Sequence, residues 1–422
     1  MTTPPNTLAK NVPSRMPIAV HTLGVAVFAL GTSEFMLSGL LPAVADDMNV
    51  SVPRAGLLIS AFAIGMVVGA PLLAATTLRL PRRATLIALI SVFGLGQIAG
   101  ALAPSYAVLF VSRVVSALAC AGFWAVGASV AVAMVPVTQR ARAIAVMLGG
   151  LSLANVLGVP AGAFLGDHFG WRSAFWAVAG ASALALVGVV LLVPRIAPPA
   201  EQPVLRRELV IYRDRQVWLA VAVVALAAGG VFCAFSYLAP LLTDVAGLGD
   251  GWEPGVLALF GVGAQIGTAI GGRVTDGRLF TVLFSGIAAS TVFLGSLALF
   301  SASAVAVVIL AFLLGVSAFY TGPALNARVF EVAGAAPTLA GATATASFNL
   351  GNTAGPWLGG TVIDVGWGYE AAAWAGAGLT VSALGVVAVS VRVRGSAEGS
   401  PTPPLPETGA PPQTPLLKRR RG

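Results

Sequence analysis

A single carboxylate, Glu34, lies inside the apolar stretch IAVHTLGVAVFALGTSEFMLSGLLPAVA at 18–45. The stretch is long enough to cross a bilayer, which takes ~20 mostly apolar residues. A carboxylate placed in hydrocarbon costs at least ~2.5–3.5 kcal/mol on insertion scales, so such a group belongs beside a cavity or a partner. Asp46 and Asp47 mark the exit from the stretch. At a rise of ~1.5 Å per residue, Glu34 is ~18 Å deeper than Asp46. The chemistry open to it there is reversible protonation, as in a switch on a transport path. Arg113 is the other charged residue within an apolar run. A fixed positive charge in low dielectric favours the ionised form of a nearby acid. Arg113 is therefore expected to tune proton affinity at or near Glu34; the alternative is a structural pairing with backbone carbonyls.

The remaining polar and aromatic candidates inside apolar runs are Phe123, Trp124, Asn155, Phe235, Tyr237, Gln265, Phe319, Tyr320, Asn349 and Asn352. A mainly apolar pocket with a few placed polar groups suits a neutral, aromatic, moderately polar small molecule. The aromatic residues serve helix packing or lipid contact at least as readily. For the asparagines a binding role is favoured, because an unpaired amide in hydrocarbon is costly. There is no GxxxxGK[ST], HExxH or GxSxG pattern, and His21 and His168 are the only histidines, so neither direct ATP use through a P-loop nor enzymatic catalysis is expected. No cofactor and no metal site are expected.

These groups must be positioned by membrane-spanning helices. The chain is 57% hydrophobic and 9% charged, with a mean hydropathy of +0.90, where soluble domains are about 25% charged. The formal charge of +8 does not point to nucleic acid, because the basic residues sit in loops. Cys120 and Cys233 lie in apolar runs and form neither a disulfide framework nor a metal spacing. The N-terminal residues lead into a long span with no A-x-A pattern, so a cleaved signal peptide is not expected. Twelve apolar runs recur, at 18–43, 54–77, 84–104, 107–134, 142–165, 171–193, 216–242, 255–272, 279–300, 303–325, 338–362 and 370–391. The expected organisation is an all-α membrane protein. It has a cytoplasmic segment at 1–17, a six-helix half at 18–193, a cytoplasmic linker at 194–215, a second half at 216–394 and a disordered Pro-rich tail at 395–422. With the N-terminus inside, 21 of the 24 Lys and Arg fall on the inner side; Arg54 and Arg172 fall outside and Arg113 in the membrane. That asymmetry supports the orientation, with both termini in the cytoplasm.

The halves repeat. GVPAGAFLGDHFGW at 158–171 parallels GPWLGGTVIDVGW at 355–367, and RLPRR at 79–83 occupies the place of RVTDGR at 273–278. Tandem halves with a site between them are a transporter architecture. The fifth span places Gly150, Ala154, Gly158, Gly162 and Gly166 four apart, and the eleventh does so with Ser347, Gly351, Gly355 and Gly359. Such stripes let a neighbouring helix approach closely, while Pro160 and Pro356 permit bending. Both spans are expected to be packed yet bendable, as a rocking interface requires.

The segment from Gly150 to Gly166, centred on Gly-Val-Pro-Ala-Gly, resembles the antiporter motif of major facilitator drug exporters, and Leu109-Phe-Val-Ser-Arg113 resembles their fourth-helix motif. Gly31-Thr-Ser-Glu34-Phe35 resembles the first-helix acid of the twelve-span drug:proton antiporter branch. GTSEFMLSGLLPAVADDM, SAFAIGMVVGAPLLAA, GWRSAFWAV, YLAPLLTDVAGLGD and GATATASFNLGNTAGP together resemble the actinobacterial chloramphenicol exporters. The resemblance covers residues 16 to about 394 and implies the major facilitator fold in a cell membrane. It implies alternating access, driven by the proton gradient, with a phenicol-like drug and protons as partners and a monomeric state. An exporter or facilitator of another drug, sugar or metabolite is the alternative. Two departures stand out. Ser116 and Ala117 occupy the place where the fourth-helix motif has Gln-Gly, and Leu78 occupies that of the acid in the first inner-loop motif.

The second loop copy keeps its acid, Asp276. The resemblance implies that this acid pairs with loop arginines and faces a helix N-terminus, where an anion gains ~0.3–1 kcal/mol. The inner gate is then expected to rest on Asp276, with Arg79, Arg82 and Arg83 serving mainly topology. Asp276→Asn should weaken export more than Arg79→Ala and raise labelling, from the inner side, of single cysteines beside residues 78 and 276. Unchanged labelling and export would refute the asymmetric lock.

Overall fold

The computed structural model describes residues 16–77, 80–136, 139–195, 209–249, 251–275, 278–334 and 337–398. In its first half α1 (Ile18–Phe35) is followed by a 3-10 turn at Met36–Gly39 and by α2 (Leu41–Asp47). Then come α3 (Val52–Thr77), α4 (Arg82–Ala101), α5 (Tyr106–Ala133) and α6 (Arg140–Leu153). A π turn at Ala154–Gly158 leads into α7 (Val159–Phe169), and α8 (Arg172–Leu192) completes the half. The second half holds α9 (Arg215–Phe235), α10 (Glu253–Val274), α11 (Leu279–Leu299), α12 (Ala304–Ala333), α13 (Pro337–Asp364) and α14 (Glu370–Glu398). Among the described residues eleven helical stretches are long and apolar enough to cross a membrane. Helix α13 matches them in length, with 28 residues. Its many Gly, Thr, Ser and Asn residues make it less apolar, and it is enclosed by α3, α9, α12 and α14.

The two halves pack by one scheme. In the first, α1 lies against α6–α7 and α8, α3 against α5, and α4 against α5 and α8; in the second, α9 lies against α13 and α14, α10 against α12, and α11 against α12 and α14. Helix α1 thus corresponds to α9, and the bent α6–α7 to α13.

Three interruptions have identifiable causes. The sequence expectation of one continuous first span fails at Phe35, and the seventh span breaks in the same way after Phe235. The breaks lie in SGLLP at 38–42 and SYLAP at 236–240. A proline cannot donate to the carbonyl four residues back, and its ring crowds that carbonyl, so Pro240 stops the seventh span at Ser236, and Pro42 has the same effect at Ser38, within the 3-10 turn that separates α1 from α2. Pro160 acts likewise on the fifth span. There the chain widens into the π turn, whose following residue Val159 donates to the Ala154 carbonyl.

The small-residue stripes pack inside each half, not between the halves. A Cβ on Gly150 would meet the Gly24 carbonyl oxygen at 2.1 Å, and one on Gly158 would meet Thr32 Oγ1 at 2.0 Å. Gly162 faces Met36 and Gly166 faces Leu40, all on α1 or its extension. In the second half Gly351 and Gly355 abut the backbone of α9 at Ala225 and Gly229, and Gly359 abuts Cys233. Each stripe fuses its helix to the first helix of its own half, while other faces of the same two spans meet the opposite half.

The halves meet along two related seams, α3 with α13 and the π turn plus α7 with α10. Ser60 Oγ donates to the Thr353 carbonyl at 2.9 Å. Gln265 Nε2 reaches the Ser152 carbonyl at 3.5 Å. Gly39 accommodates Leu257, and Gly360 accommodates Pro53. These contacts run from mid-depth to the end that carries Asp46, Asp47, Arg54 and Arg172, here called the far end. The other, basic end carries Arg82, Arg83, Arg140, Arg142, Arg273, Arg278 and Arg328. There Arg328 is buried and donates to Glu331 and Ser390, each at 3.0 Å, tying α12 to α14.

The glycine contacts yield a paired test. A Cβ added at Gly149 would have no atom within 4 Å, whereas one added at Gly150 would meet backbone alone. Gly150→Ala should lose about 1–3 kcal/mol, the range for overpacking. Gly149→Ala should be neutral or gain up to about 1 kcal/mol, from helix propensity. Thermal unfolding of both purified variants in detergent measures the difference.

Candidate functional site

Glu34 sits at the last full turn of α1, on an interior face, with 8% of its surface exposed. The break at Phe35 means that depth cannot be counted by uniform helical rise beyond that point, but the side chain is buried as expected. Arg113, on α5, is fully buried. Its Nη1 donates to the backbone carbonyl and to the hydroxyl of Ser33, both at 2.9 Å. The guanidinium also lies over the Phe62 ring of α3, 4.2 Å from its centroid. Nε and Nη2 have no hydrogen-bond partner. Among the described residues no ion pair within 4 Å joins Arg113 to Glu34, although each charge acts on the other. The backbone carbonyl that Arg113 binds belongs to the helical residue preceding Glu34 and not to a loop. Cys120 is buried on α5 two turns beyond Arg113, within electrostatic reach of both.

Sequence reasoning did not find the partners that complete this arrangement. Ser33 Oγ donates to Gln97 Oε1 on α4 at 3.1 Å, and Gln97 Nε2 donates to Ser116 Oγ on α5 at 3.1 Å. Ser116 and Ala117, the departures from the fourth-helix motif, have a packing reason. A Cβ on Gly96 would be 2.3 Å from Ser116 Oγ, and one on Gly65 would be 2.6 Å from Ala117 Cβ. Larger residues would push α4 and α3 away from α5.

Phe35, the next residue in the chain, belongs to an aromatic cluster. Phe35 of α1 stacks on Phe232 of α9, with centroids 5.6 Å apart and planes 14° from parallel. Phe232 meets Phe235 and Phe348 edge-on, Phe235 lies 4.3 Å from Phe260, and Phe260 meets Phe319. Of these six rings, sequence reasoning singled out Phe235 and Phe319. The others carried no distinguishing signal, since phenylalanine in a membrane span is ordinary. Asn349 and Asn352 follow Phe348 on α13, one and four residues on; both are 2% exposed, and the Oδ1 of each is without a hydrogen-bond partner. Asn349 Nδ2 donates to the Thr345 carbonyl at 3.0 Å. Gln265 and Asn155 lie at the seam, where the Asn155 carbonyl faces Gly261.

The other candidates are placed differently. Tyr237 is 1% exposed, donates to the Pro356 carbonyl at 2.8 Å and is seated against Gly56 of α3. It is a packing element of the seam. Phe123 is fully enclosed in the first half beside Gly127, and Trp124 packs against the same core. Tyr320 packs against Gly271 of α10 and Gly286 of α11. Arg82 opens α4 at the basic end. Arg79 and Asp276 lie outside the described residues.

The sequence of the chain matches the model of the Major Facilitator Superfamily over residues 23–348. The chain belongs to that superfamily: it is a multi-pass membrane transporter, not an enzyme. It is 42% identical over 382 residues to a chloramphenicol resistance protein of Streptomyces lividans, covering 89% of this chain and 97% of that protein. It is 35% identical to the inner membrane transport protein YdhP of Escherichia coli K12, covering 88% and 95% of the two chains. Among solved structures, it shares its fold with an inward-facing, unoccupied bacterial homologue of the human lysosomal transporter Spinster. That match has a TM-score of 0.74 and 17% identity, and covers 91% of this chain and 98% of that one. A point mutant of the nucleoside transporter NupG has a TM-score of 0.70 with 12% identity, over 89% and 100% of the chains.

The fit of Tyr237 to Gly56 generates a suppressor test. A Cβ on Gly56 would lie 2.3 Å from the Tyr237 hydroxyl, so Gly56→Ala should loosen the far-end seam. It should raise thiol labelling at Ser60→Cys several-fold, in a chain with Cys120 and Cys233 replaced by alanine. Adding Tyr237→Phe removes the clashing oxygen and should bring labelling back.

Proposed function

We propose that the protein exports a small, uncharged, largely apolar drug in exchange for protons, with chloramphenicol or a related phenicol as the substrate. The observation that carries coupling is the buried carboxylate Glu34, which stands in the chain between Ser33, held by Arg113, and Phe35, stacked in an aromatic cluster drawn from both halves. The substrate follows from the relative that confers chloramphenicol resistance and is 42% identical over nearly its whole length. The rings of the cluster offer stacking surface to an aromatic drug, and Asn349 and Asn352 offer acceptor oxygens to its hydroxyl and amide donors. Burying an unpaired acceptor costs about 1–3 kcal/mol, so a ligand that satisfies one gains binding energy and selectivity.

By the distribution of basic residues, the basic end faces the cytoplasm of a cell membrane. Seams joined from mid-depth to the far end then correspond to an inward-facing state. Drug loads while Glu34 is deprotonated, the halves rock about the seams, and the drug leaves outward. A proton from outside neutralises Glu34 and lowers the cost of carrying that group through the occluded state. Exchange of one proton for a neutral drug moves one charge. A potential of 100 mV contributes ~2.3 kcal/mol per charge. At ~1.4 kcal/mol per tenfold in concentration, this sustains on the order of 40-fold accumulation.

The test uses a host lacking its own pumps and a drug panel, with and without protonophore. Chloramphenicol tolerance should rise on expression and collapse with protonophore. Glu34→Gln should abolish it at normal membrane levels, because an amide cannot exchange a proton. Resistance to a cationic dye without resistance to phenicols would overturn the substrate. Protonophore-sensitive export by Glu34→Gln would remove Glu34 from the coupling role.

A further inference from the structure

We propose that Gln97 is a positioning residue for proton coupling, holding Arg113 on the backbone beside Glu34 and off its carboxylate. This rests on the reading of Glu34 as the proton site. The hydrogen bonds have a determined direction. Arg113 has only donors, so the Ser33 hydroxyl that accepts from Nη1 must send its own proton elsewhere, and it sends it to Gln97 Oε1. That fixes the amide, whose Nε2 then donates to Ser116. Gln97 is wholly buried, and both halves of its amide are engaged. The chain from α5 through α1 and α4 back to α5 closes on the helix that carries Arg113.

The consequence is electrostatic. Arg113 keeps Nε and Nη2 without partners, so it has donors to spare for a carboxylate. What keeps Nη1 at Ser33 is the pair of acceptors presented there, and Gln97 Oε1, by holding the Ser33 hydroxyl, fixes that side chain with its oxygen turned to Nη1. Without Gln97, the Ser33 side chain is free to rotate its oxygen away from Nη1, and the guanidinium is freed toward Glu34. A direct pair favours the ionised carboxylate, making proton uptake harder. The titratable and charged groups facing this network are Glu34 on α1 and Arg113 and Cys120 on α5. The neighbouring elements contribute Phe62 from α3 and Gln97 from α4, which do not titrate.

The measurement is the pH profile of drug-driven proton movement in vesicles containing the full-length protein, with chloramphenicol as the probe. Gln97→Leu should move the profile toward acid by about one unit or more, the range for a carboxylate gaining a direct arginine partner. Ser33→Ala, which removes the relaying hydroxyl but keeps the backbone carbonyl, should move it the same way. The double variant should shift little beyond the larger single one, because residues in one network are not additive. Ser116→Ala, which leaves the Ser33 bond intact, should shift it less. If Gln97→Leu does not reach the membrane, Ser33→Ala decides alone. Activity lowered at every pH with an unmoved profile would make Gln97 a packing residue and overturn the proposal. Failure of the Glu34 reading is distinguishable: Glu34→Gln would then retain protonophore-sensitive export, whatever the Gln97 variants do.

Discussion

The constraint on which this structure depends is the desolvated charge of Arg113. A guanidinium in a membrane interior is tolerated only beside carbonyls, hydroxyls, aromatic faces or opposite charge. Here the first three are all supplied, by Ser33 and Phe62. Because the carbonyl belongs to α1 and the ring to α3, the charge draws three helices together at the level of Glu34. The close approach of α3 and α4 to α5, permitted by Gly65, Gly96, Ser116 and Ala117, is the packing that makes this satisfaction reachable.

The same economy of small residues fixes what can move. The stripe on α6–α7 locks onto α1 and the stripe on α13 onto α9, so each half behaves as a packed body. Across the seams the fit depends on a few side chains: Leu257 at Gly39, Tyr237 at Gly56, Phe35 on Phe232. Stripe contacts recur turn after turn along one helix pair, through backbone at Gly150, Gly351 and Gly355 and through side chains at Gly158, Gly162 and Gly166, whereas these seam contacts are single side chains meeting small residues or rings. The second kind can part and re-form without breaking a helix.

Much of this was legible in the sequence. Twelve spans, the twofold repeat, the charge asymmetry, the buried acid and the buried arginine all follow from composition and spacing, because hydrocarbon penalises charge so heavily that each exception is conspicuous. What was not legible depends on which faces meet. The Gly150–Gly166 stripe announced close packing but not its partner, and α1 rather than the opposite half is what lies there. Ser33 and Gln97 are small or neutral and separated by 64 positions; no local pattern links them. Phe232 and Phe260 were lost among other phenylalanines. The motif departure at Ser116 read as an absence, and became intelligible once Gly96 was seen to leave no room for more than a hydroxyl.

The break at Phe35 gives the site its directionality. Adjacent residues on α1 serve opposite halves: the Ser33 and Glu34 pair is held with Arg113 in the first, while Phe35 is buried in the core of the second, with Phe232 and Leu257. The α-helix ends there and passes into a 3-10 turn, so the Phe35 ring rides on a helix terminus and not on a continuous rod. The stack of Phe35 on Phe232 is the inter-half contact that directly adjoins Glu34 in the chain. In the second half the corresponding break, before Pro240, places Tyr237 in the core of the first. The halves are thus pinned by one aromatic residue from each, both set at or just past a helix end, and the pin from the first half directly adjoins the buried carboxylate Glu34.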